Sequence, residues 1–302
     1  MGLEGDAQLA WILGSSRSGS TWLLRMVGEL PLVATIDDPH LGHHLGVWRP
    51  IPLAWAAADD EPELSTLRDL QRDRDEFFFN DRYARAWEPA LRQLIVTRFE
   101  AQVADEAPGA RAVVVKEPAS QAAELFSRLF PASSLIFLLR DVRDVVASWL
   151  DAYRHGSWAE RNGAFAASRG GRVPLARWLA SVWLYRTEAV QRAVKRHPGP
   201  TATLRYEKLR TDPVAEVARV CADARIPAED ATIRAAVRAH DFDRVSPTRR
   251  GRGQAIREAR PGAWTRELSA AELDAVVSVA GAKLVELGYA REHELRWLRR
   301  VA

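Results

Sequence analysis

The most constraining stretch of the sequence is a short apolar run, Leu9–Leu13, that leads through GSSRSGS (residues 14–20) into a second apolar segment. An apolar run of this length, followed by glycines and a helical pattern, is typical of a buried parallel strand that turns into a helix. Gly14 and Gly19 have the spacing of a phosphate-binding loop, where backbone N–H groups and the helix dipole converge on an anion. The stretch therefore predicts an α/β fold with an anion site at the end of its first strand.

The composition of this loop narrows the kind of anion. Nucleotide kinases carry a lysine directly after the second glycine, where it reaches the outer phosphates of a triphosphate. Here Ser20 stands at that position, the cation is Arg17 inside the loop, and Thr21 keeps the hydroxyl position. A magnesium-bound triphosphate is thus a poor fit, whereas a single 5′-phosphate that bears a transferable group fits well.

Similar patterns recur along the chain. Further strands are predicted at 112–115 and 135–139 and, more weakly, at 201–204; helices are predicted at 21–30, 119–130, 143–153, 175–196, 213–224 and 270–287. Strands that alternate with helices favour an α/β fold with three layers, α/β/α, around a central parallel sheet and with helical insertions. We expect a single domain over residues 1–302, in which the Pro- and aromatic-rich residues 39–111 form a helical insertion on the acceptor side.

Bulk composition excludes several classes of protein. The net charge of +3 does not argue for a nucleic-acid partner, and the basic stretch 249–254 is better explained as a lid over a charged ligand. Cys221 is the only cysteine, so no internal disulfide or cysteine metal cluster is possible. Glu4 and Asp6 precede a short apolar run, unlike a signal peptide, and no apolar stretch approaches the roughly 18 residues of a membrane span. These features predict a cytoplasmic protein without integral membrane association.

The segment RSGSTW (residues 17–22) resembles the 5′-phosphosulfate loop of the sulfotransferases that use 3′-phosphoadenosine 5′-phosphosulfate (PAPS). A second segment is similar to the same family: Arg140 follows an apolar strand, and Ser148 lies eight residues further on, as in the family's 3′-phosphate site. The resemblance implies PAPS as co-substrate and no metal. It assigns the 3′-phosphate to Arg140 and Ser148, and the 5′ end of the donor to a loop made of Ser16, Arg17, Ser18, Gly19, Ser20, Thr21 and Trp22.

Two matches extend the resemblance towards the C-terminus. LRYEKLRTDP (204–213) is similar to a family segment whose tyrosine packs near the adenine, which makes Tyr206 the candidate; an ordinary core tyrosine is the competing interpretation. REARPGAW (257–264) resembles the segment that closes over the 3′-phosphate, but Glu258 and Ala259 replace the family's lysine and glycine. Only Arg257 is therefore carried over from it.

Catalysis needs cations around the leaving oxygen and a base for the proton of the acceptor. Arg17 is one predicted cation, and Lys116, at the end of a predicted strand, is the other because the family carries a lysine there. The histidine that some members use as base is replaced by Pro118. Other members use an acidic residue about twenty residues beyond the basic residue of the loop, and Asp37 and Asp38 lie 20 and 21 residues beyond Arg17. The resemblance therefore favours Asp38 as the base, with Asp37 and Glu117 in reserve.

The predicted reaction moves a sulfuryl group from PAPS to a hydroxyl, or an amine, of a small-molecule or carbohydrate acceptor. Two alternatives stay open: a P-loop kinase for a small metabolite, and a noncatalytic nucleotide-binding protein on the same fold. The sequence identifies neither the acceptor nor the oligomeric state, for which a homodimer is one option.

Overall fold

In the computed structural model, the described residues are 8–44, 78–162, 171–257 and 259–294. Their contacts divide the chain into two compact units. The first contains Met1–Leu139 and Tyr185–His240, and the second contains Arg140–Leu184 and Asp241–Ala302. The predicted site residues are distributed over both units.

The first unit holds a sheet of five parallel strands: β1 (Leu9–Leu13), β2 (Val33–Asp37), β3 (Ala112–Lys116), β4 (Ser134–Leu139) and β5 (Thr201–Arg205). The strand order is β2-β3-β1-β4-β5. The central β1 is buried along its whole length, and the loop that begins at Gly14 follows its carboxyl end. This is the predicted parallel sheet with the loop where the sequence indicated it.

The strand β2 was not predicted. It is an edge strand that follows Pro31 closely and mixes Ala34, Thr35 and Asp37 with only two larger aliphatic side chains. An edge strand is buried on fewer sides than a central one, so it needs no continuous apolar run. Its importance is positional, because it ends directly at the two predicted base candidates.

Twelve helices alternate with these strands in the described ranges: α1 (Ser20–Gly28), α2 (Leu41–His44), α3 (Ala84–Glu106), α4 (Ala123–Leu129), α5 (Val142–Ala152), α6 (Trp158–Arg161), α7 (Arg172–Arg196), α8 (Tyr206–Thr211), α9 (Pro213–Asp223), α10 (Asp230–Ala239), α11 (Trp264–Glu267) and α12 (Ala270–Glu286). The six predicted helices are present with their ends shifted by a few residues. Outside the predicted insertion, four helices were not predicted: α6, α8, α10 and α11. The carboxylate of Asp212 caps α9, and Ser269 forms the predicted capping box of α12 with Glu272.

Helices cover both faces of the sheet. On one face, Ala10 and Ile12 of β1 pack into a core with apolar side chains from α1, α9 and α10. On the other face, the Trp11 ring stacks on Phe126 of α4 with 4.6 Å between centroids, and Phe99 of α3 lies 6.0 Å away. Because successive side chains of a strand point to opposite faces, one strand serves both layers. The three-layer α/β/α prediction is confirmed.

The predicted insertion, residues 39–111, is described only in part. Its described residues form α2, a short 3-10 turn (Asp81–Tyr83) and the 23-residue α3. Residues 45–77, including the aromatic residues Trp48 and Trp55, lie outside the described residues. The described part is largely helical, and the assignment of residues 39–111 as an insertion on the acceptor side stays a prediction.

The second unit is built on α5. The Asp141 side chain caps this helix by accepting from the backbone N–H of Arg143, and α11 and α12 pack against it. None of the described helices is long and apolar enough to cross a membrane.

Candidate functional site

The phosphate loop, which we define as residues 14–19, is tied to the end of β3 at its first residue. The Gly14 N–H donates to Ser120 Oγ over 2.8 Å, and this hydroxyl is 2.7 Å from Gly14 O. Ser120 Oγ also lies 2.9 Å from Glu117 O. One buried hydroxyl thus joins the start of the loop to the segment that carries Lys116 and Glu117.

The far end of the loop depends on a glycine. Gly19 has φ +94°, a left-handed conformation that L side chains rarely adopt. A Cβ at this position would lie 2.5 Å from Cδ2 of Tyr206. Gly19 O accepts from the N–H groups of Trp22 and Leu23 in the first turn of α1. The glycine therefore lets the chain turn sharply into the helix while a ring packs against its α-carbon.

The Tyr206 ring packs against the phosphate loop at Gly19. It begins α8 directly after β5, is buried, and makes an edge contact with the Trp22 ring at 6.4 Å between centroids. Its burial is typical of a core tyrosine, whereas its contacts with Gly19 and Trp22 place it beside the phosphate loop. Its contact with adenine stays a prediction.

The other predicted loop residues lie together between β1 and α1. Arg17 has φ +70° and is half-buried, and Ser18 is buried with its N–H directed at Ser15 O over 3.3 Å. Ser20 and Thr21 occupy the first positions of α1, where helix N–H groups have no partner within the helix. Together they form a backbone cradle of the kind that binds a phosphate or sulfate group.

Lys116 brings a cation to this loop from the neighbouring strand. It is the last residue of β3, its side chain is only 5% exposed, and its Nζ donates to Thr21 Oγ1 over 2.6 Å. Two carboxylates meet the same ammonium: Asp37 Oδ1 at 2.6 Å and Asp38 Oδ2 at 3.0 Å. A buried ammonium needs such partners to offset its loss of hydration.

Asp37 and Asp38, the favoured base candidates, lie at the end of β2 and are more exposed than Lys116. Their side chains are 56% and 41% exposed, respectively. Asp38 has φ +48°, and its N–H donates to Lys116 O over 3.1 Å. The turn after β2 is thereby held so that both carboxylates reach one lysine. Asp37 is the more exposed of the two, whereas Asp38 Oδ1 is buried and has no hydrogen-bond partner among the described residues.

Glu117, the third base candidate, has a different environment. It is 1% exposed; Oε1 accepts from the Ala119 N–H over 2.7 Å and Oε2 from the Leu41 N–H over 2.8 Å. Burial raises the pKa of Glu117 to about 7, against the two backbone hydrogen bonds and the Arg186 cation, which lower it. Both oxygens are committed to the backbone, which favours a structural task over proton transfer.

Sequence reasoning missed Arg186, a buried residue of α7. Its Nε donates to Gln121 Oε1 over 3.1 Å and its Nη1 donates to Ser16 Oγ over 3.3 Å. Arg186 carries no local motif, since it stands inside a long helix with many other arginines. The one available signal was its position among apolar residues, in WLYRTEAV (183–190).

The second unit contains Arg140, Ser148 and Arg257, the residues predicted to bind a 3′-phosphate. Together with Asp144, which was not predicted as a ligand, they are here called the α5 cluster. Arg140 precedes α5 and Ser148 lies within it, and both are buried. Arg257 Nη1 donates to Ala147 O over 3.0 Å, one residue from Ser148, and is paired with Glu267. The structure thus places Arg257 against the backbone of α5 next to Ser148.

Asp144 ties the segment that follows Arg257 to α5. One of its carboxylate oxygens accepts from the Gly262 N–H over 2.8 Å and the other from the Trp264 N–H over 3.0 Å. Burial raises the pKa of Asp144, while the Arg140 cation and these two hydrogen bonds lower it. Arg140 Nη2 is 4.0 Å from the same carboxylate. A carboxylate that sequence reasoning left aside therefore organises this cluster.

The geometry suits the transfer of an anionic group. The loop supplies backbone donors, Arg17 and Lys116 supply positive charge, and Asp37 and Asp38, which both pair with Lys116, supply acceptors for a proton. Among the residues that the structure describes, no cluster of three or more His, Cys, Asp or Glu side chains is arranged to hold a metal ion.

Comparison with known proteins identifies the family. Residues 10–230 match the model of the family described as "Sulfotransferase family". Among solved structures, the mouse sulfotransferase SULT7A1 complexed with PAP is similar, with a TM-score of 0.54, 11% identity, and coverage of 98% of this chain and 89% of that chain. The sulfotransferase STF9 from Mycobacterium avium is also similar, with a TM-score of 0.53, 17% identity, and coverage of 92% and 76%, respectively. No curated protein matches.

These likenesses agree with the geometry of the loop. The two solved structures have low identity to the chain and support the fold, whereas the family model spans the phosphate loop, β3 and the start of the α5 cluster. Membership of the sulfotransferase family, rather than of the P-loop kinases, accounts for Ser20 at the position where a kinase has its lysine. The chain belongs to the sulfotransferase family.

Proposed function

We propose that this protein transfers a sulfuryl group from PAPS to a hydroxyl or amine of a small-molecule or carbohydrate acceptor. The observation that carries the proposal is the 2.6 Å hydrogen bond from Lys116 Nζ to Thr21 Oγ1. Since Ser20 replaces the kinase lysine, the loop needs a second cation from elsewhere. Lys116 supplies it from β3.

The phosphate loop fits the 5′ end of such a donor. Its left-handed glycine, the open N-terminus of α1 and the adjacent lysine form a concave group of donors for an anion. Arg17, Ser18, Gly19, Ser20 and Thr21, with Ser16 and Trp22 beside them, are the residues we assign to this end.

We assign Arg140 and Ser148, with Arg257, to the 3′-phosphate of the donor. Arginine and hydroxyl groups together form the charge-assisted hydrogen bonds that a dianionic phosphate prefers. Each such bond to a charged group contributes about 1.5 to 3 kcal/mol, enough to separate nucleotides with and without a 3′-phosphate. The adenine is assigned to Tyr206.

PAPS supplies the sulfuryl group and a leaving oxygen on its 5′-phosphate. Lys116 and Arg17 offset the negative charge that develops on that oxygen as its bond to sulfur breaks and the acceptor forms the new bond. Thr21 and Ser20 donate hydrogen bonds to the same region. Asp38 accepts the proton that the acceptor loses, with Asp37 as the second candidate.

Glu117 is the least suitable of the three carboxylates for that task. Its oxygens already accept two backbone hydrogen bonds, so proton transfer would disrupt the turn that begins α2. No metal is required, because two cations and a helix N-terminus supply the positive charge. We further propose a single-domain, cytoplasmic enzyme; a homodimer is the simplest assembly to test.

A binding experiment with three nucleotides tests the donor. Purified protein is titrated calorimetrically with 3′-phosphoadenosine 5′-phosphate (PAP), with 5′-AMP and with Mg-ATP, and the series is repeated with Arg140→Ala. Arg219→Ala is the matched control, since Arg219 forms exposed ion pairs on α9. We expect PAP to bind at least about a hundredfold more tightly than 5′-AMP, and Arg140→Ala to remove most of that preference. Preference for Mg-ATP would overturn the proposal.

Turnover separates the enzyme from a noncatalytic relative. Labelled PAPS is incubated with panels of phenols, alcohols, amines and sugars, and labelled products are counted. We expect transfer to at least one class, and its loss in Lys116→Met. Tight PAP binding with no transfer to any class would favour a noncatalytic nucleotide-binding protein on the same fold.

A further inference from the structure

Arg186 is a buried cation that the donor chemistry does not use directly. It belongs to α7 and is 7% exposed. Burying a guanidinium costs free energy unless hydrogen bonds and opposite charge offset it. A cation kept at such a position needs a structural or functional reason, and its neighbours indicate which one.

Two of its hydrogen bonds connect separate parts of the first unit. Nη1 reaches Ser16 Oγ in the middle of the phosphate loop over 3.3 Å, and Nε reaches Gln121 Oε1 in the turn after β3 over 3.1 Å. Gln121 directly follows Ser120, whose hydroxyl already holds the first glycine of the loop. The loop is thus attached to the β3 turn by two neighbouring side chains.

The charge of Arg186 also acts on the Glu117 carboxylate. The charged groups that face Glu117 are Asp38, which disfavours its ionised form, and Arg186, which favours it. The ionised carboxylate accepts from both the Leu41 and Ala119 N–H groups. A protonated carboxyl group would present a hydroxyl to one of these donors. Arg186 therefore lowers the pKa of Glu117 against the larger effect of burial, and this electrostatic effect accompanies its hydrogen bonds to the loop and to the turn after β3.

We infer that Arg186 is a positioning residue of the donor site: through its hydrogen bonds to Ser16 and Gln121 it holds the phosphate loop against the turn after β3, in its anion-binding shape. This inference rests on the proposed function, since it assumes that the loop binds the 5′ end of the donor. It adds a residue on a distant helix to the site.

The test compares PAP affinity among variants of the full chain at about pH 7. Arg186→Gln removes the positive charge. Arg186→Lys keeps the charge but loses the planar guanidinium, whose separate N–H groups reach Ser16 and Gln121 at the same time. Arg192→Gln is the matched control: Arg192 lies on the same helix, and its Nε bonds Glu124 over 3.1 Å, away from the loop. We expect PAP affinity to fall about tenfold in Arg186→Gln, about threefold in Arg186→Lys, and less than about twofold in Arg192→Gln.

A double-mutant cycle distinguishes positioning from general destabilisation. If Arg186 acts through Ser16, the effect of Arg186→Gln on PAP affinity is smaller in the Ser16→Ala background than in the wild type. Should Arg186→Gln fail to fold, the same cycle is run with Arg186→Lys. Additive losses, or Arg186 variants that bind PAP as Arg192→Gln does, would overturn the inference and leave the proposed function intact. A wild-type protein that does not bind PAP would overturn both.

Discussion

Each of the two compact units contains a buried carboxylate that accepts hydrogen bonds from two backbone N–H groups. In the first unit, Glu117 joins the Leu41 turn to the Ala119 turn; in the second, Asp144 holds the backbone at Gly262 and Trp264. Burial raises the pKa of both groups.

The neighbours of the two carboxylates differ. Glu117 directly follows Lys116 in the chain and is influenced by the Asp38 carboxylate and the Arg186 cation. Asp144 is influenced by the Asp141 carboxylate and has the cation of Arg140 at 4.0 Å. The same structural device thus occurs once next to proposed reaction chemistry and once next to a proposed phosphate clamp. The comparison teaches that a buried acidic residue next to a lysine of the proposed site is not thereby a base.

Each unit contains a glycine with a left-handed backbone, and the two glycines differ in the space around their α-carbons. Substituting them gives the largest expected effect on stability. A Cβ at Gly19 would meet the Tyr206 ring at 2.5 Å, whereas nothing lies within 4 Å of a Cβ at Gly262, although its φ is +78°. We expect Gly19→Ala to lower the free energy of unfolding by roughly 3 to 5 kcal/mol and Gly262→Ala by about 1 kcal/mol. Denaturant unfolding of both variants measures this; equal losses would show that the ring contact does not shape the loop.

The pH dependence of stability tests the raised pKa of Glu117. Its folded-state pKa of about 7 lies above its ordinary value of 4.5, so the unfolded chain loses this proton first as the pH rises. The contribution of Glu117 to the free energy of unfolding therefore falls between about pH 4.5 and pH 7, by on the order of 3 kcal/mol, and is level above that range.

This fall should be missing in Glu117→Gln, which cannot ionise. Denaturant unfolding at about pH 5 and about pH 8 compares the two proteins, and the wild type is expected to lose more stability over this interval than the variant. Parallel pH profiles for wild type and variant would contradict the assignment of a buried, proton-binding Glu117.

The corresponding change in the second unit is Asp144→Asn. The amide keeps one acceptor for the Gly262 or Trp264 N–H but turns an NH₂ group towards the other donor. We expect a loss of about 2 kcal/mol in the free energy of unfolding and weaker PAP binding, because the segment after Arg257 is released. Asp223→Asn, which alters an exposed ion pair with Arg219, is the control and should change stability by less than about 0.5 kcal/mol. Similar losses in both variants would remove the special role of Asp144.

The smallest effect is expected at Arg143, beside the α5 cluster. Its guanidinium bonds the Asp141 carboxylate over 2.6 Å and lies 4.1 Å from the centroid of the Trp264 ring. Arg143→Lys loses the fork and the stacking, which together contribute about 1 kcal/mol to stability. PAP affinity should change less than about twofold. A tenfold loss of affinity in calorimetry would make Arg143 a ligand of the donor rather than a support of α5.

The sequence was sufficient for the features that are local in the chain. An apolar run before a glycine loop identifies β1 and the anion site, because strand, turn and helix N-terminus are consecutive residues. Lys116 and the pair Asp37 and Asp38 were predicted from the family resemblance, and the structure places all three where the neighbouring strands β2 and β3 end.

What the sequence could not give depends on contacts between distant segments. The edge strand β2 has too mixed a composition to be recognised alone. The roles of Arg186 and Asp144 follow from partners that are 170 and 118 positions away, respectively, in the chain. Glu117 was predicted as a reserve base because the sequence shows that it directly follows Lys116. The sequence does not show that both of its carboxylate oxygens accept hydrogen bonds from the backbone.

A crystal structure of the protein with PAP tests the central claim most directly. We expect the 5′-phosphate within hydrogen-bond distance of the loop N–H groups and of Lys116, and the 3′-phosphate within hydrogen-bond distance of Arg140 and Ser148. A nucleotide bound elsewhere, or one whose 3′-phosphate contacts neither Arg140 nor Ser148, would contradict the proposed donor site.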